Sequence, residues 1–68
     1  MSPEKMCRMA NQIARFFHSQ NEPDRAGRVA DHLSDFWDPS MRQMLIAHID
    51  AGGGDLDPLV IEAAERLR

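Results

Sequence analysis

The amino-acid sequence predicts an all-α fold, a compact bundle of four short helices within one domain of 68 residues. Apolar residues recur at the three- and four-residue spacings that place them on one side of a helix. Serine or aspartate followed by proline, a typical helix start, occurs three times. No segment of useful length alternates polar and apolar residues as a strand does. The predicted helices cover approximately residues 3–18, 24–37, 39–51 and 58–67.

The first predicted helix begins after Ser2, whose hydroxyl can cap the first turn, and Pro3 suits the first helical position. With successive residues about 100° apart, apolar side chains fill one half of this helix and polar side chains fill the other. One core contact needs an apolar stripe of only about 100°. The apolar half consists of Met6, Cys7, Met9, Ala10, Ile13, Ala14, Phe16 and Phe17.

The second predicted helix follows a polar turn and begins near Asp24. Its apolar residues again form a stripe, and the simplest interpretation of this stripe is packing in a core. Asp38 and Pro39 then end this helix and begin the next, because a residue before proline avoids helical dihedral angles. The stripe of the second helix consists of Ala26, Val29, Ala30, Leu33, Phe36 and Trp37.

The third predicted helix is apolar on more than one side, which predicts burial on more than one side. Met41, Met44, Leu45 and Ile49 form a stripe, whereas Ile46 points almost opposite. Three glycines at 52–54 end this helix, with one of them in a left-handed C-cap. The fourth helix follows an aspartate–proline pair, and its apolar residues are Leu59, Val60, Ala63, Ala64 and Leu67.

Composition and charge exclude several classes of protein. Apolar residues make up 43% of the chain and charged residues 28%, which argues against disorder. No apolar run could span a membrane and the N-terminus lacks an apolar signal core, so we expect a cytoplasmic protein. A lone cysteine fits a reducing compartment.

The charge is unevenly distributed along the chain. Residues 1–18 hold three basic and one acidic side chain, whereas residues 19–68 hold five basic and ten acidic ones. This balance disfavours nucleic-acid binding.

Residues that could carry chemistry are scattered. Cys7 lies at the edge of an apolar stripe, so we expect a packed thiol. His18, His32 and His48 belong to three different helices, and no two have the spacing of metal ligands on one helix. We expect the first two to face solvent and His48 to be partly buried. The three glycines lack the lysine of a phosphate loop and are followed by aspartates. The sequence therefore predicts no enzyme, no metal site and no cofactor.

The apolar surface is larger than four short helices can readily cover, and large exposed apolar patches usually mark partner sites. Methionine is also favoured on adaptable binding surfaces. We therefore predict a docking surface on the apolar half of the first helix and on the junction between the second and third helices. The predicted partner-binding residues are Met9, Phe16, Phe17, Trp37, Asp38, Pro39, Met41, Arg42 and Met44.

Two sequence runs carry a resemblance to a known family. The first is Met-Ala-Asn-Gln-Ile at residues 9–13, and the second is Phe-Trp-Asp-Pro-x-Met-Arg at residues 36–42. In these runs the sequence resembles the delta subunit of soluble, NAD-dependent, molybdenum-containing formate dehydrogenases. The similarity covers nearly the whole chain. In that family the larger subunits carry the molybdopterin guanine dinucleotide, iron–sulfur clusters and FMN. The resemblance implies a small accessory subunit without redox centres.

The resemblance further implies that the chain docks on the large catalytic alpha subunit and supports molybdenum-cofactor insertion, assembly or stability. An alternative is a chaperone that itself binds the guanine nucleotide part of this cofactor or a free guanine nucleotide, with Asn11, Gln12 and Arg15 as polar contacts. A DNA-binding helix-turn-helix is disfavoured, because its recognition helix would offer few basic residues, of which Arg42 is the main one. Self-association of the isolated chain through the apolar surface also stays open.

Overall fold

The computed structural model describes all 68 residues. It contains four helices and no strand, which confirms the all-α prediction. The helices are α1 (Pro3–His18), α2 (Arg25–Phe36), α3 (Pro39–Asp50) and α4 (Pro58–Glu65). None of them is both long enough and apolar enough to cross a membrane.

The helices begin within a residue of the predicted positions because each start is capped by a side chain. A side-chain oxygen of the residue before each helix accepts a hydrogen bond from a first-turn backbone amide. Hydrogen bonds from the Ser40 hydroxyl and the Met41 amide also lower the pKa of the Asp38 carboxyl. The caps and their amide donors are Ser2 with Lys5, Asp24 with Gly27, Asp38 with Met41 and Asp57 with Leu59.

The helix ends depart slightly from the predicted ones. Trp37 lies outside α2 with an extended backbone (φ −95°, ψ 135°), although its amide still donates to the Leu33 carbonyl. The last helix ends at Glu65, two residues early, because the next two amides bond to carbonyls three residues back instead of four. Gly53 adopts the left-handed conformation (φ +67°) that the sequence predicted for one glycine of the turn.

The core contains fourteen buried residues, all of them apolar, and six of these are alanines. Helix α1 contacts each of the other three helices, and the most extensive contact in the fold is between α2 and α4. In contrast, α2 and α3 barely touch each other. The buried residues are Met6, Cys7, Ala10, Ala14, Ala26, Val29, Ala30, Leu33, Trp37, Leu45, Leu59, Val60, Ala63 and Ala64.

Asn11 of α1 ties the loop before α4 to the rest of the bundle. Its Nδ2 donates to the Asp55 carbonyl oxygen at 2.7 Å, and its Oδ1 accepts from the Asp57 amide at 2.8 Å. Asp55 has a positive φ of 65°, a conformation that non-glycine residues adopt uncommonly. The two hydrogen bonds thus hold a strained loop against α1 and explain the asparagine of the Met-Ala-Asn-Gln-Ile run.

Replacement of Asn11 with alanine is expected to lower the free energy of unfolding by about 1–3 kcal/mol, because the half-buried Asp57 amide loses its acceptor. Urea unfolding followed by circular dichroism measures this change. The exposed neighbour Gln12, whose side chain makes no hydrogen bond within the chain, provides the control variant Gln12→Ala. Equal stability of the Asn11→Ala variant and the wild type would show that the clamp contributes nothing.

Candidate functional site

The largest concave surface of the molecule is an apolar groove between the second half of α1, the end of α2 and the start of α3. We call it the aromatic groove, and its volume is about 550 Å³. Seven of its nine lining residues are hydrophobic, and the two polar ones are Gln12 and His32. The lining residues are Met9, Gln12, Ile13, Phe16, Phe17, His32, Phe36, Trp37 and Met41.

The groove stays open because the extended backbone at Trp37 separates α3 from α2, and no other helix fills the gap. Trp37 is only 5% exposed, so its ring belongs to the core and presents one surface to the groove. Phe16 and Phe36, on opposite sides, are 57% and 73% exposed. The interpretation of Phe36 as a core residue was therefore wrong, because it lies at the edge of its stripe and no helix covers it.

Two ring contacts shape the walls of the groove. Phe16 and Phe17 pack edge to face with centroids 5.1 Å apart, and His32 lies 4.7 Å from Phe36 in a tilted arrangement. His32 is half-buried by this contact, although the sequence predicted that it would face solvent. Both contacts hold large flat side chains in place at the groove surface.

Five of the nine predicted partner-binding residues line this groove, and four do not. Asp38 is an exposed helix cap, and Met44 is half-buried against the core. Pro39 and Arg42 line a separate, more polar depression with Asp50. The five that come together are Met9, Phe16, Phe17, Trp37 and Met41.

Arg42 stabilises the junction between α2 and α3 by hydrogen bonds. Its guanidinium donates to the Trp37 carbonyl oxygen and, at 3.3 Å, to the Ser34 carbonyl oxygen at the end of α2. A cation at this end of a helix also interacts favourably with the helix dipole. Together with the Asp38 cap, this contact gives the charged residues of the junction a structural role.

The sequence prediction missed four residues of the groove: Gln12, Ile13, His32 and Phe36. Ile13 and Phe36 belonged to apolar stripes, so their spacing on α1 and α2 already carried a signal. Gln12 and His32 belonged to polar faces, and nothing in their local sequence indicated that they border the groove. Their contribution depends on how the two helices are packed against each other.

A second, polar cavity contains the thiol of Cys7 close to the imidazole of His48. Cys7 Sγ lies 3.5 Å from His48 Nε2, which lies 2.7 Å from the Gly54 carbonyl oxygen. Because a carbonyl only accepts, Nε2 carries a proton and cannot take the thiol proton. Burial, together with the carboxylates of Asp55 and Glu4, raises the pKa of Cys7. The cysteine is a packed thiol, as the sequence predicted, and its raised pKa keeps it protonated.

No group of three or more His, Cys, Asp or Glu side chains is arranged to hold a metal ion. The fold and its largest cavity define a small four-helix module that presents an open aromatic groove.

Comparison with known families identifies which module this is. The family described as NADH-dependent formate dehydrogenase delta subunit, FdsD, matches residues 5–64, which include all nine residues of the aromatic groove. The chain belongs to this family, and the resemblance noted in the sequence is confirmed. As a formate dehydrogenase subunit it associates with other subunits of that enzyme. A search of the curated proteins gives no significant match.

Proposed function

We propose that this delta subunit is a non-catalytic protein that binds the catalytic alpha subunit through the aromatic groove and supports molybdenum-cofactor insertion, assembly or stability. The observation that carries the proposal is the pair of exposed phenylalanines, Phe16 and Phe36, on the two walls of one apolar groove. Exposed apolar surface costs about 25 cal/mol per Å², so covering both rings favours association. Aromatic side chains are enriched at the centres of interfaces.

The small core supports an accessory role. A single core in a chain of this length rarely supplies more than about 3–5 kcal/mol, and many of the buried side chains here are alanines. A partner that binds only the folded chain adds stability by mass action. The same surface that recognises the alpha subunit would therefore also hold the delta subunit in its folded state.

The non-catalytic part of the proposal is supported by the state of the two most reactive side chains. The imidazole of His48 is committed to the Gly54 carbonyl, and the pKa of Cys7 is raised. A nucleophile instead needs a neighbouring base or a lowered pKa.

The structure does not favour direct binding of a guanine nucleotide. Asn11, one of the three polar residues considered for that role, already makes two hydrogen bonds to the loop before α4. Three of the four helix N-termini are capped by aspartates, whose negative charge would repel a phosphate. For these reasons the proposal assigns nucleotide and metal chemistry to the larger subunits.

Deletion of the delta subunit tests the proposed role. We expect the dehydrogenase from the deletion strain to contain less molybdenum per alpha polypeptide if the subunit supports insertion, or less alpha polypeptide if it supports stability. Metal analysis and quantitative immunoblotting distinguish these results, and a plasmid copy of the delta subunit should restore the wild-type values. A fully metallated enzyme at normal abundance, with no delta subunit co-purifying in the wild type, would refute the proposal.

A further inference from the structure

We infer that the aromatic groove receives one amphipathic α-helix of the partner subunit, with an apolar stripe, an acidic edge facing α1 and a basic edge facing α2. This inference rests on the proposed function and specifies the chemistry of the surface that the delta subunit recognises. Two observations carry it: the side-chain lining of the groove and the opposite charges along its two rims.

The lining of the groove selects a helix over an extended segment. The residues that line it belong to three helices and to the Trp37 link between α2 and α3, so the groove offers no sheet edge with free amides and carbonyls. An extended peptide would bury backbone groups without hydrogen-bond partners, which costs free energy for each group. A helix satisfies its own backbone and buries only side chains, and helix-in-groove binding uses this property.

The α1 rim of the groove is basic. Lys5, Arg8 and Arg15 lie along the exposed side of α1, on the same strip of the helix as Gln12 of the groove. All three side chains are exposed, and none forms an ion pair within the chain. Five other basic residues do make contacts within the chain, for example Arg66 with Asp24. Arg8 also borders the polar cavity of Cys7 and His48, on the far side of this strip from the groove. The α1 rim thus carries positive charge that is not held in an ion pair.

The α2 rim of the groove is acidic. Asp31 and Asp35 are exposed and make no ion pair, and they line a shallow depression that shares Phe16, Phe36 and His32 with the groove. The one basic residue of this depression, Arg28, is already paired with Glu22 at 3.2 Å. Positive charge on one rim and negative charge on the other favour a helix with the opposite arrangement, which fixes its orientation in the groove.

A second copy of the chain fits the groove less well than a helix does. In a two-fold symmetric contact the same patch faces itself, so two concave grooves of about 550 Å³ each would meet and leave a space between them. Tight interfaces pack as densely as protein interiors, and an unfilled space lacks those contacts. A convex helix fills the groove and lies against Phe16 and Phe36 at the same time.

Photo-crosslinking in the assembled dehydrogenase tests the shape of the occupant. The photoreactive amino acid p-benzoylphenylalanine is placed at position 36 in the groove or, as a control, at the exposed position 47 of α3 outside it. We expect only the groove probe to crosslink, at alpha-subunit positions three or four residues apart within one segment. Crosslinks at alternate residues, or to a second delta subunit, would overturn the inference. Failure of the wild-type chain to co-purify would instead count against the proposed function.

Charge reversal tests the two rims. The variants Arg8→Glu with Arg15→Glu, and Asp31→Lys with Asp35→Lys, are each expected to weaken binding to the alpha subunit about tenfold, because each attraction becomes a repulsion. The loss should shrink at high ionic strength, which screens exposed charges. Isothermal titration calorimetry at low and high salt measures both the loss of affinity and its dependence on ionic strength.

The control for the rim variants is Glu62→Lys with Glu65→Lys on α4, which changes the net charge as much as the reversal on α2 does. This variant should bind like the wild type. Reversing the matching charges on the crosslinked helix should restore the affinity of each rim variant. Wild-type affinity of both rim variants, or equal weakening by the α4 control, would overturn the assigned charge pattern.

Discussion

A delta subunit with Phe16→Asp and Phe36→Asp is expected to lose at least about a hundredfold in affinity for the alpha subunit while remaining folded. The two rings are 57% and 73% exposed, so their removal costs the isolated fold little. In the complex, each substitution replaces a buried ring by a charge in an apolar environment. Loss of one such anchor residue typically costs about 2 kcal/mol of binding free energy or more. The dissociation constant from isothermal titration measures the loss.

A matched variant separates the groove from general effects of added charge. Ala47 is exposed on α3 outside the groove, so Ala47→Asp should retain wild-type affinity. Circular dichroism should show the same helix content in all three proteins. If the double phenylalanine variant still co-purifies with the alpha subunit at the wild-type yield, the aromatic groove is not the docking surface.

The largest expected effect on stability comes from Leu33→Ala. Leu33 is completely buried in the last turn of α2, and replacing a buried leucine with alanine costs about 2–5 kcal/mol in transfer and cavity terms. A core of this size supplies only about 3–5 kcal/mol in total. We therefore expect the isolated variant to be mostly unfolded at 25 °C, with low ellipticity at 222 nm and no cooperative thermal transition.

The same chemical change at Leu67, which is half-buried beyond the end of α4, should lower the unfolding free energy by less than about 1 kcal/mol. Urea titration of both variants gives this comparison directly. A Leu33→Ala protein with a cooperative transition close to that of the wild type would show that the core relaxes around the lost side chain.

The starts of the helices could be predicted because the signals are local. Ser2, Asp38 and Asp57 each stand directly before a proline, and the capping hydrogen bond spans only two or three residues. The end of α4 carried no such signal: apolar periodicity continued to Leu67, whereas the helix ends at Glu65. Apolar periodicity indicates which side of a helix a residue would occupy. It does not indicate where the last turn of a short helix tightens, because the apolar pattern continues through that turn.

The candidate site was predictable only in part, because it depends on contacts between distant segments. The width of the apolar arc of α1 indicated exposed apolar surface, and Phe16 and Phe17 do line the groove. The exposure of Phe36 follows from the weak contact between α2 and α3, which no local pattern reports. Asn11 looked like an ordinary polar-face residue, yet its partner atoms lie 44 and 46 residues away.

The buried alanines of α2 and α4 have a consequence for evolution. Ala26 and Ala30 of α2 and Ala63 and Ala64 of α4 let the two helices approach closely, behind the wall that carries Phe36. A larger residue at any of these four positions would shift α2 relative to α1 and so change the width of the groove. With the proposed docking through this groove, partner preference can drift through substitutions that never touch the partner, and compensating changes in the two subunits need not be neighbours.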